Sequence, residues 1–325
     1  MSGDRGPSVS VPAALAAARE FRDVRFTLTG RQPDLERELA GAVLPNVSCL
    51  FATEVVEMTD HPREALRRKK DSSMRRAIDL VKANDAHACV SAGNTGALMA
   101  TAHFVLKMLP GVERPAIVSI IPSRGGHTYM LDLGANASCT PAQLCQFAVM
   151  GSVLAADLPG AHERPRVGLL NIGEEEVKGN DIVQAAHNLM AAADINYVGF
   201  VEGHDIFSDK VDVVVTDGFT GNIALKVMEG ASRLITNAMR EEFARSPLRK
   251  LGYLAARPAL NALRARIDPR LYNGAAMVGL NGVVIKSHGG TDQFGFQRAI
   301  EVAILEARDD VPAQIAQRMS VLRGA

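Results

Sequence analysis

The chain has 325 residues, 47% hydrophobic and 22% charged, which is ordinary globular usage and excludes wholesale disorder. Thirty-six basic residues balance thirty-six acidic ones, aromatics are 5% and tryptophan is absent, so no nucleic-acid partner is expected. No apolar run reaches the roughly 20 residues that span a bilayer, Met1 to Pro7 lacks a secretory apolar core, and Cys49, Cys89, Cys139 and Cys145 form no CxxC pair; a reducing cytoplasm with free thiols and no metal is expected.

In chain order, a helix is expected to begin near Pro7 to Val11. Val24–Thr29 reads as a strand, Asp34–Ala42 as a helix and Val47–Leu50 as a second strand. Arg63–Ala83 carries helix formers, Ala88–Ser91 is strand-like and Thr95–Lys107 is helix-compatible. Ala116–Ile121 and Tyr129–Leu133 read as strands. Pro141–Ala156 reads as a helix with proline in its first turn. Val167–Asn171, Tyr197–Val201 and Val211–Thr216 are three more strands, with a helix near Ile182–Ala193 between the first two. Short apolar strands alternating with helices predict an α/β fold with a doubly covered, mostly parallel sheet. An antiparallel excursion is expected around Ala116–Leu133. No repeat or linker divides the chain, so 1–325 reads as one domain.

A protruding helical insertion is expected over Met239–Tyr272, which holds eight basic and three acidic residues, a local charge of +5. Leu248, Leu251, Leu254, Leu260 and Leu263 lie at helical spacing, and Pro247, Pro258 and Pro269 are expected to cut the segment into short helices. Two readings fit equally well: a solvated basic face, or a surface for a membrane or a partner.

Three turns place Gly, Asn and Thr directly after an apolar strand: Ser91-Ala92-Gly93-Asn94-Thr95-Gly96, Asp132-Leu133-Gly134-Ala135-Asn136 and Thr216-Asp217-Gly218-Phe219-Thr220-Gly221-Asn222. Ligands of open α/β sheets bind at the carboxyl ends of strands, where glycine admits close approach and a following helix offers unpaired N–H groups. Each turn alone is more often structural than ligand-binding; their recurrence favours an anion site. Neither a Walker A loop nor a dinucleotide fingerprint is present, so no cofactor is expected. Lys178, in Asn171–Asn180, reads either as an oxyanion stabiliser or as a lysine paired with Glu174. Arg67-Arg68-Lys69-Lys70 is a solvated run or a contact for an acidic partner. Lys286-Ser287-His288-Gly289 follows the strand-like Val283–Ile285. There is no G-x-S-x-G elbow and no cysteine with an evident histidine partner, so a covalent acyl-enzyme is not indicated.

RRKKDSSM (67–74), SAGNTGALM (91–99), LDLGAN (131–136), GLLNIGEEEVKGN (168–180) and DVVVTDGFTGNIALK (212–226) together resemble the PlsX family, the phosphate acyltransferases of bacterial phospholipid synthesis. The resemblance extends through Tyr272–Gly290 and covers nearly the whole chain. It implies transfer of a fatty acyl group from acyl-[acyl carrier protein] to inorganic phosphate. It also implies a fold like isocitrate/isopropylmalate dehydrogenase and phosphotransacetylase, a homodimer, and a cytoplasmic location with peripheral membrane contact. On this reading Asn94, Thr95, Gly96, Asn136, Gly218, Thr220, Gly221 and Asn222 bind phosphate and the thioester. Lys178 neutralises developing charge, and Asp217 and His288 order the site or carry a proton. Arg67, Arg68, Lys69, Lys70, Arg249, Lys250 and Arg257 are the expected contacts to the carrier protein or membrane. The family opens with an apolar strand and D-A-M-G-G-D-x-x-P; this chain enters that pattern at Gly3-Asp4-Arg5-Gly6-Pro7, so the first strand is expected to be missing. The family's Tyr-Gly-Gly-Ala reads Tyr272-Asn273-Gly274-Ala275. The alternatives are a phosphotransacetylase-like enzyme using acyl-coenzyme A, and a non-catalytic membrane-associated scaffold.

Overall fold

The β-branched runs become strands and the runs between them become covering helices. The computed structural model describes residues 1, 3–156 and 162–324, without the side chains of 264–266 and 323–324. Ser2 and the side chains of Arg264 and Arg266, part of the sequence reading, therefore lie outside this description. Helix α1 (Pro7–Glu20) leads into strand β1 (Phe26–Gly30), α2 (Gln32–Leu39) and β2 (Val47–Phe51). Next come α3 (Pro62–Arg68), α4 (Ser73–Lys82), β3 (Ala88–Ser91), α5 (Thr95–Leu106), β4 (Ala116–Ser123), β5 (Gly126–Leu131) and α6 (Pro141–Ala156). The chain continues through β6 (Arg166–Leu170), α7 (Asp181–Ala192), β7 (Asn196–Val201), β8 (Val213–Val215), α8 (Gly218–Ala244) and α9 (Pro247–Ile267). It closes with β9 (Ala275–Val278), β10 (Val283–Lys286), α10 (Gln293–Arg308) and α11 (Val311–Gly324).

Strands β1 and β2 form a separate parallel pair, and the other eight form one sheet in the order β3-β10-β9-β4-β5-β8-β6-β7. Pairing is parallel for β3–β10, β5–β8, β8–β6 and β6–β7, and antiparallel along β10–β9–β4–β5, which contains the expected excursion. Alternation along the strands fills two cores. Leu131, Val213, Val215 and Ile285 face α6 and α11, while Met130, Val214 and Val284 face α4 and α5.

One consequence of the register positions the site. The two halves of the sheet run in opposite directions and are staggered along β4. Its residues Ala116–Val118 pair with β9, whereas Ser119–Ser123 pair with β5. Lys286, the last residue of β10, pairs with Ala275 and with Ser91, and the adjoining Ala276 pairs with Val118. On the other side Ser119 pairs with Met130, and Leu131, the last residue of β5, pairs with Val215. The carboxyl ends of β3, β10, β5 and β8 therefore all fall within about one residue of a single line across the sheet.

The helical segment differs from the sequence expectation. It is one hairpin of two long helices rather than several short pieces, and its first arm starts at Gly218, well before Met239. Pro258 lies inside α9. A proline removes one backbone donor; in a helix with no buried residue among those described, the carbonyl left behind is open to solvent. Helix α8 fully buries Gly218 and Gly221 and packs Ala224, Leu225 and Met228 on the core; beyond Met228 none of its described residues is buried, so the outer part of the hairpin stands off the body. Arg63–Ala83 is two helices, because Ser72 accepts from the Arg75 amide at 3.3 Å and starts a new one. Strand β9 and helices α10 and α11 were not read from the sequence.

Candidate active site

Asn94 caps α5: its Oδ1 accepts from the Ala97 amide at 3.0 Å, and its Nδ2 donates to the carbonyls of Met58 and Asp60 at 2.9 and 3.0 Å. Both ends of that side chain are engaged in holding the β2–α3 loop against the helix. Thr95 and Gly96 are exposed at the start of α5. A Cβ on Gly96 would stand 2.9 Å from Pro62 Cγ, so this glycine keeps the α3 loop close.

Asp132 organises the second turn from complete burial. Its Oδ1 accepts from the amides of Ile117 (3.0 Å), Gly134 (3.2 Å) and Ala135 (3.0 Å), and its Oδ2 accepts from the Asn136 amide (2.7 Å) and Nδ2 (3.0 Å). Burial pushes its carboxyl above the ordinary range, against the opposing pull of those donors. Asn136 also donates to the Pro115 carbonyl at 2.7 Å, so its amide is a structural brace.

The third turn docks on the second. The Gly218 amide donates to the Asn136 carbonyl at 2.8 Å. A Cβ on Gly218 would lie 2.5 Å from that oxygen, and one on Gly221 would lie 2.0 Å from the Asp132 carbonyl oxygen. These two glycines allow helix and strand end to touch. Asp217 caps α8, its oxygens accepting from the Thr220 amide (2.9 Å) and hydroxyl (2.8 Å). The geometry thus gives Asp217 and Thr220 a helix-starting role. Asn222 is exposed and its side chain makes no hydrogen bond among the described residues; it stands 3.5 Å from a Cβ position on Gly134.

Lys178 lies in the loop after β6, its ammonium bonded to no described residue. The alternative pairing with Glu174 does not form: Glu174 pairs with Lys210 instead. Around Lys178 the loop is held by the Asn171 Nδ2, which donates to the Lys178 carbonyl at 3.2 Å. Gly179, at φ 92°, has no room for a Cβ, which would meet Asn171 Oδ1 at 2.5 Å. His288 is exposed. Its amide donates to Asn273 Oδ1 at 2.9 Å and its Nδ1 accepts from the Gly290 amide at 3.1 Å. Among the described residues no hydrogen bond or ion pair links Lys178, Asp217 and His288 to one another.

Lys286 was passed over in favour of His288. It is only 9% exposed, and its Nζ donates to the carbonyls of Ser287 and, at 3.4 Å, Ala92. Burial pushes its ammonium down to about 8, with Asp4 opposing that shift and Lys226 on α8 adding to it. The one available signal was its place as the last residue of a strand.

Of the expected surface contacts, Arg67, Arg68 and Lys70 are exposed. Lys69 is turned inward as the exception. Its Nζ pairs with Asp60 at 2.5 Å and donates to the Val55 carbonyl at 2.7 Å, because the chain must leave α3 there to begin α4. Arg249 is paired with Glu242, while Lys250 and Arg257 are exposed. The thiols of Cys89, Cys139 and Cys145 are buried, and burial pushes Cys89 up to about 12, which argues against a thiolate nucleophile.

A family model described as fatty acid synthesis protein matches residues 1–314. A phosphate acyltransferase of Methylococcus capsulatus is 54% identical over 323 residues, covering 98% of this chain and 95% of that one. One from Alkalilimnicola ehrlichii is 54% identical over 328 residues, covering 100% and 96%. Among solved structures, a phosphotransacetylase from Streptococcus pyogenes superposes with a TM-score of 0.61 at 16% identity, covering 93% of this chain and 92% of that one. At that identity the likeness is one of fold.

Proposed function

The chain belongs to the fatty acid synthesis protein family and is an acyltransferase acting on phosphate, and from that premise we propose that its acyl donor is a fatty acyl-[acyl carrier protein], its product an acyl phosphate for phospholipid synthesis. The observation that carries the reading is the convergence of the glycine-, asparagine- and threonine-bearing turns on one line across the sheet, beside two lysines and with the Cys89, Cys139 and Cys145 thiols buried.

In this reading the dianion of phosphate is held near the exposed start of α5 and attacks the thioester carbonyl carbon directly. The C–O bond forms, charge moves to the carbonyl oxygen, and collapse breaks the C–S bond. The carrier thiolate leaves and takes up the proton that the acyl phosphate releases, so the step balances without an acyl-enzyme. Lys178, whose ammonium is bonded to no described residue, offsets charge on the carbonyl oxygen, and Asn222 supplies an amide from the start of α8. The rest of the barrier reduction comes from alignment, for which rigid caps at Asn94 and Asp217 are the means. Purified protein with acyl-carrier thioester should release free carrier only when phosphate is added, and faster than with acyl-coenzyme A. Lys178→Ala should slow turnover by about a hundredfold with the fold intact. A stable acyl adduct by intact mass would refute direct attack, and full activity of the variant would remove Lys178 from the site.

The proposal extends to a cytoplasmic homodimer that touches the membrane peripherally through the hairpin. No helix among the described residues is long and apolar enough to cross a membrane. On α9, Leu248, Leu251 and Leu254 are 79%, 63% and 58% exposed beside the cations of Lys250 and Arg257. Anionic phospholipid vesicles should retain the protein at low salt and release it at high salt, since screening shortens the reach of surface charge. Replacing the three leucines with glutamine should abolish retention; unchanged retention would remove the hairpin from membrane contact.

A further inference from the structure

We propose that Lys286 is a positioning residue that ties the turn after β3 to the turn after β10 and so holds the phosphate-binding face in its working shape. The inference rests on the assignment of phosphate to the Asn94–Thr95–Gly96 turn. Four observations carry it. Lys286 is nine-tenths buried at the end of β10, where a lysine is costly unless bonded. Its ammonium donates to one carbonyl of each turn, Ala92 in the first and Ser287 in the second. The same two turns are joined by the Ser287 amide, which donates to the Ser91 carbonyl at 2.9 Å. Finally, Gly3 and Asp4 of the amino-terminal segment close over them, the Asp4 amide donating to the Gly289 carbonyl at 3.0 Å.

The charged groups acting on Lys286 are Asp4 from that segment and Lys226 from α8, with His288 two residues along its own turn. Charge strengthens both carbonyl bonds. The Lys286 charge is present well below pH 8 and is lost as pH rises through about that value. The grip on the Ala92 carbonyl loosens over the same range.

The test is steady-state kinetics of the full chain as a function of phosphate and pH, with Lys286→Met and Lys286→Arg. At pH 7 the methionine variant should show a phosphate KM raised about tenfold or more, the loss of one charge-assisted contact, with kcat changed far less. The arginine variant should recover most of the loss. The wild-type kcat/KM for phosphate should fall above about pH 8. In the arginine variant that alkaline limb should be absent, because guanidinium stays charged. Phosphate's own ionisation is common to all three proteins and cancels in the comparison. A methionine variant with an unchanged phosphate KM, or an arginine variant with the wild-type limb, overturns the proposal. If no donor gives phosphate-dependent turnover, the functional reading fails by itself, and amide hydrogen exchange over residues 91–96 then judges Lys286. Protection lost in Lys286→Met and kept in Lys286→Arg supports the role; equal protection in all three overturns it.

Discussion

Gly221→Ala should destabilise the fold and remove most of the activity, although alanine favours helix. The added Cβ would stand 2.0 Å from the Asp132 carbonyl oxygen and 3.1 Å from its carbon. Those are backbone atoms at the end of β5, and they cannot swing aside like a flexible side chain. Gly218 and Gly221 are the fully buried residues of α8 among those described, and a shift that relieves the clash would also loosen the packing of Ala224, Leu225 and Met228 on the core. Overpacking of a core commonly costs about 1–3 kcal/mol, and a backbone obstruction belongs at or beyond the upper end. A fall in thermal midpoint of roughly 5 °C or more is expected, with loss of activity as Asn222 moves with the helix. Gly230, in the same helix, has nothing within 4 Å of its Cβ position. Gly230→Ala should therefore be neutral or stabilising by up to about 1 kcal/mol. Equal thermal midpoints for the two variants would show that the contact with Asp132 is not tight.

Asp132→Ala should be at least as damaging. The carboxylate, itself fully buried, accepts from the amides of Ile117, Gly134, Ala135 and Asn136 and from the Asn136 side chain, the Ile117 bond being buried and the others partly so. Each buried donor left without a partner costs about 1–3 kcal/mol. Losses within one network do not add, so about 4 kcal/mol is a reasonable total. Asp132→Asn should rescue only part of it, since its NH2 would face the Asn136 donors. The pH dependence has a definite sign. Burial raises the folded carboxyl above its unfolded value, so the folded state holds the proton to higher pH. This group's contribution to stability is therefore fully present at acid pH and falls as pH rises through the folded value. Chemical denaturation of wild type and Asp132→Ala at pH 5 and pH 8 measures this. A deficit smaller at pH 5 than at pH 8 would contradict the burial argument.

Much of the molecule was legible in the sequence because its signals are local. The runs Val213–Val215 and Val283–Ile285 are β-branched and short, so they announce buried strands without any neighbour. The turn residues were equally visible, since Asn94, Asp217 and the glycines after strand ends are chemically suited to capping and close approach wherever they occur. The motifs at 67–74, 91–99, 131–136, 168–180 and 212–226 carried the family, because order and spacing of several turns are specific where one turn is not. What each turn residue does was not legible. Asn94 and Asp217 looked like ligand groups and are engaged as caps, because capping and binding use the same short polar side chains.

The tertiary structure alone decided the rest. Pro258 reads as a helix break from sequence, yet α9 runs through it because the helix is open to water. Lys69 reads as one of four surface cations and is turned onto Asp60 by the break between α3 and α4. The opposite directions of the two half-sheets, and their stagger along β4, bring turns far apart in sequence to one line. No local periodicity encodes a register between strands. Lys286 is the clearest case. Its contact with Ala92 spans 194 residues, and its burial exists only once β3 and β10 pair. A sequence records that a lysine ends a strand. The low dielectric that alters its charge, and the second carbonyl that employs it, come from the other side of the fold.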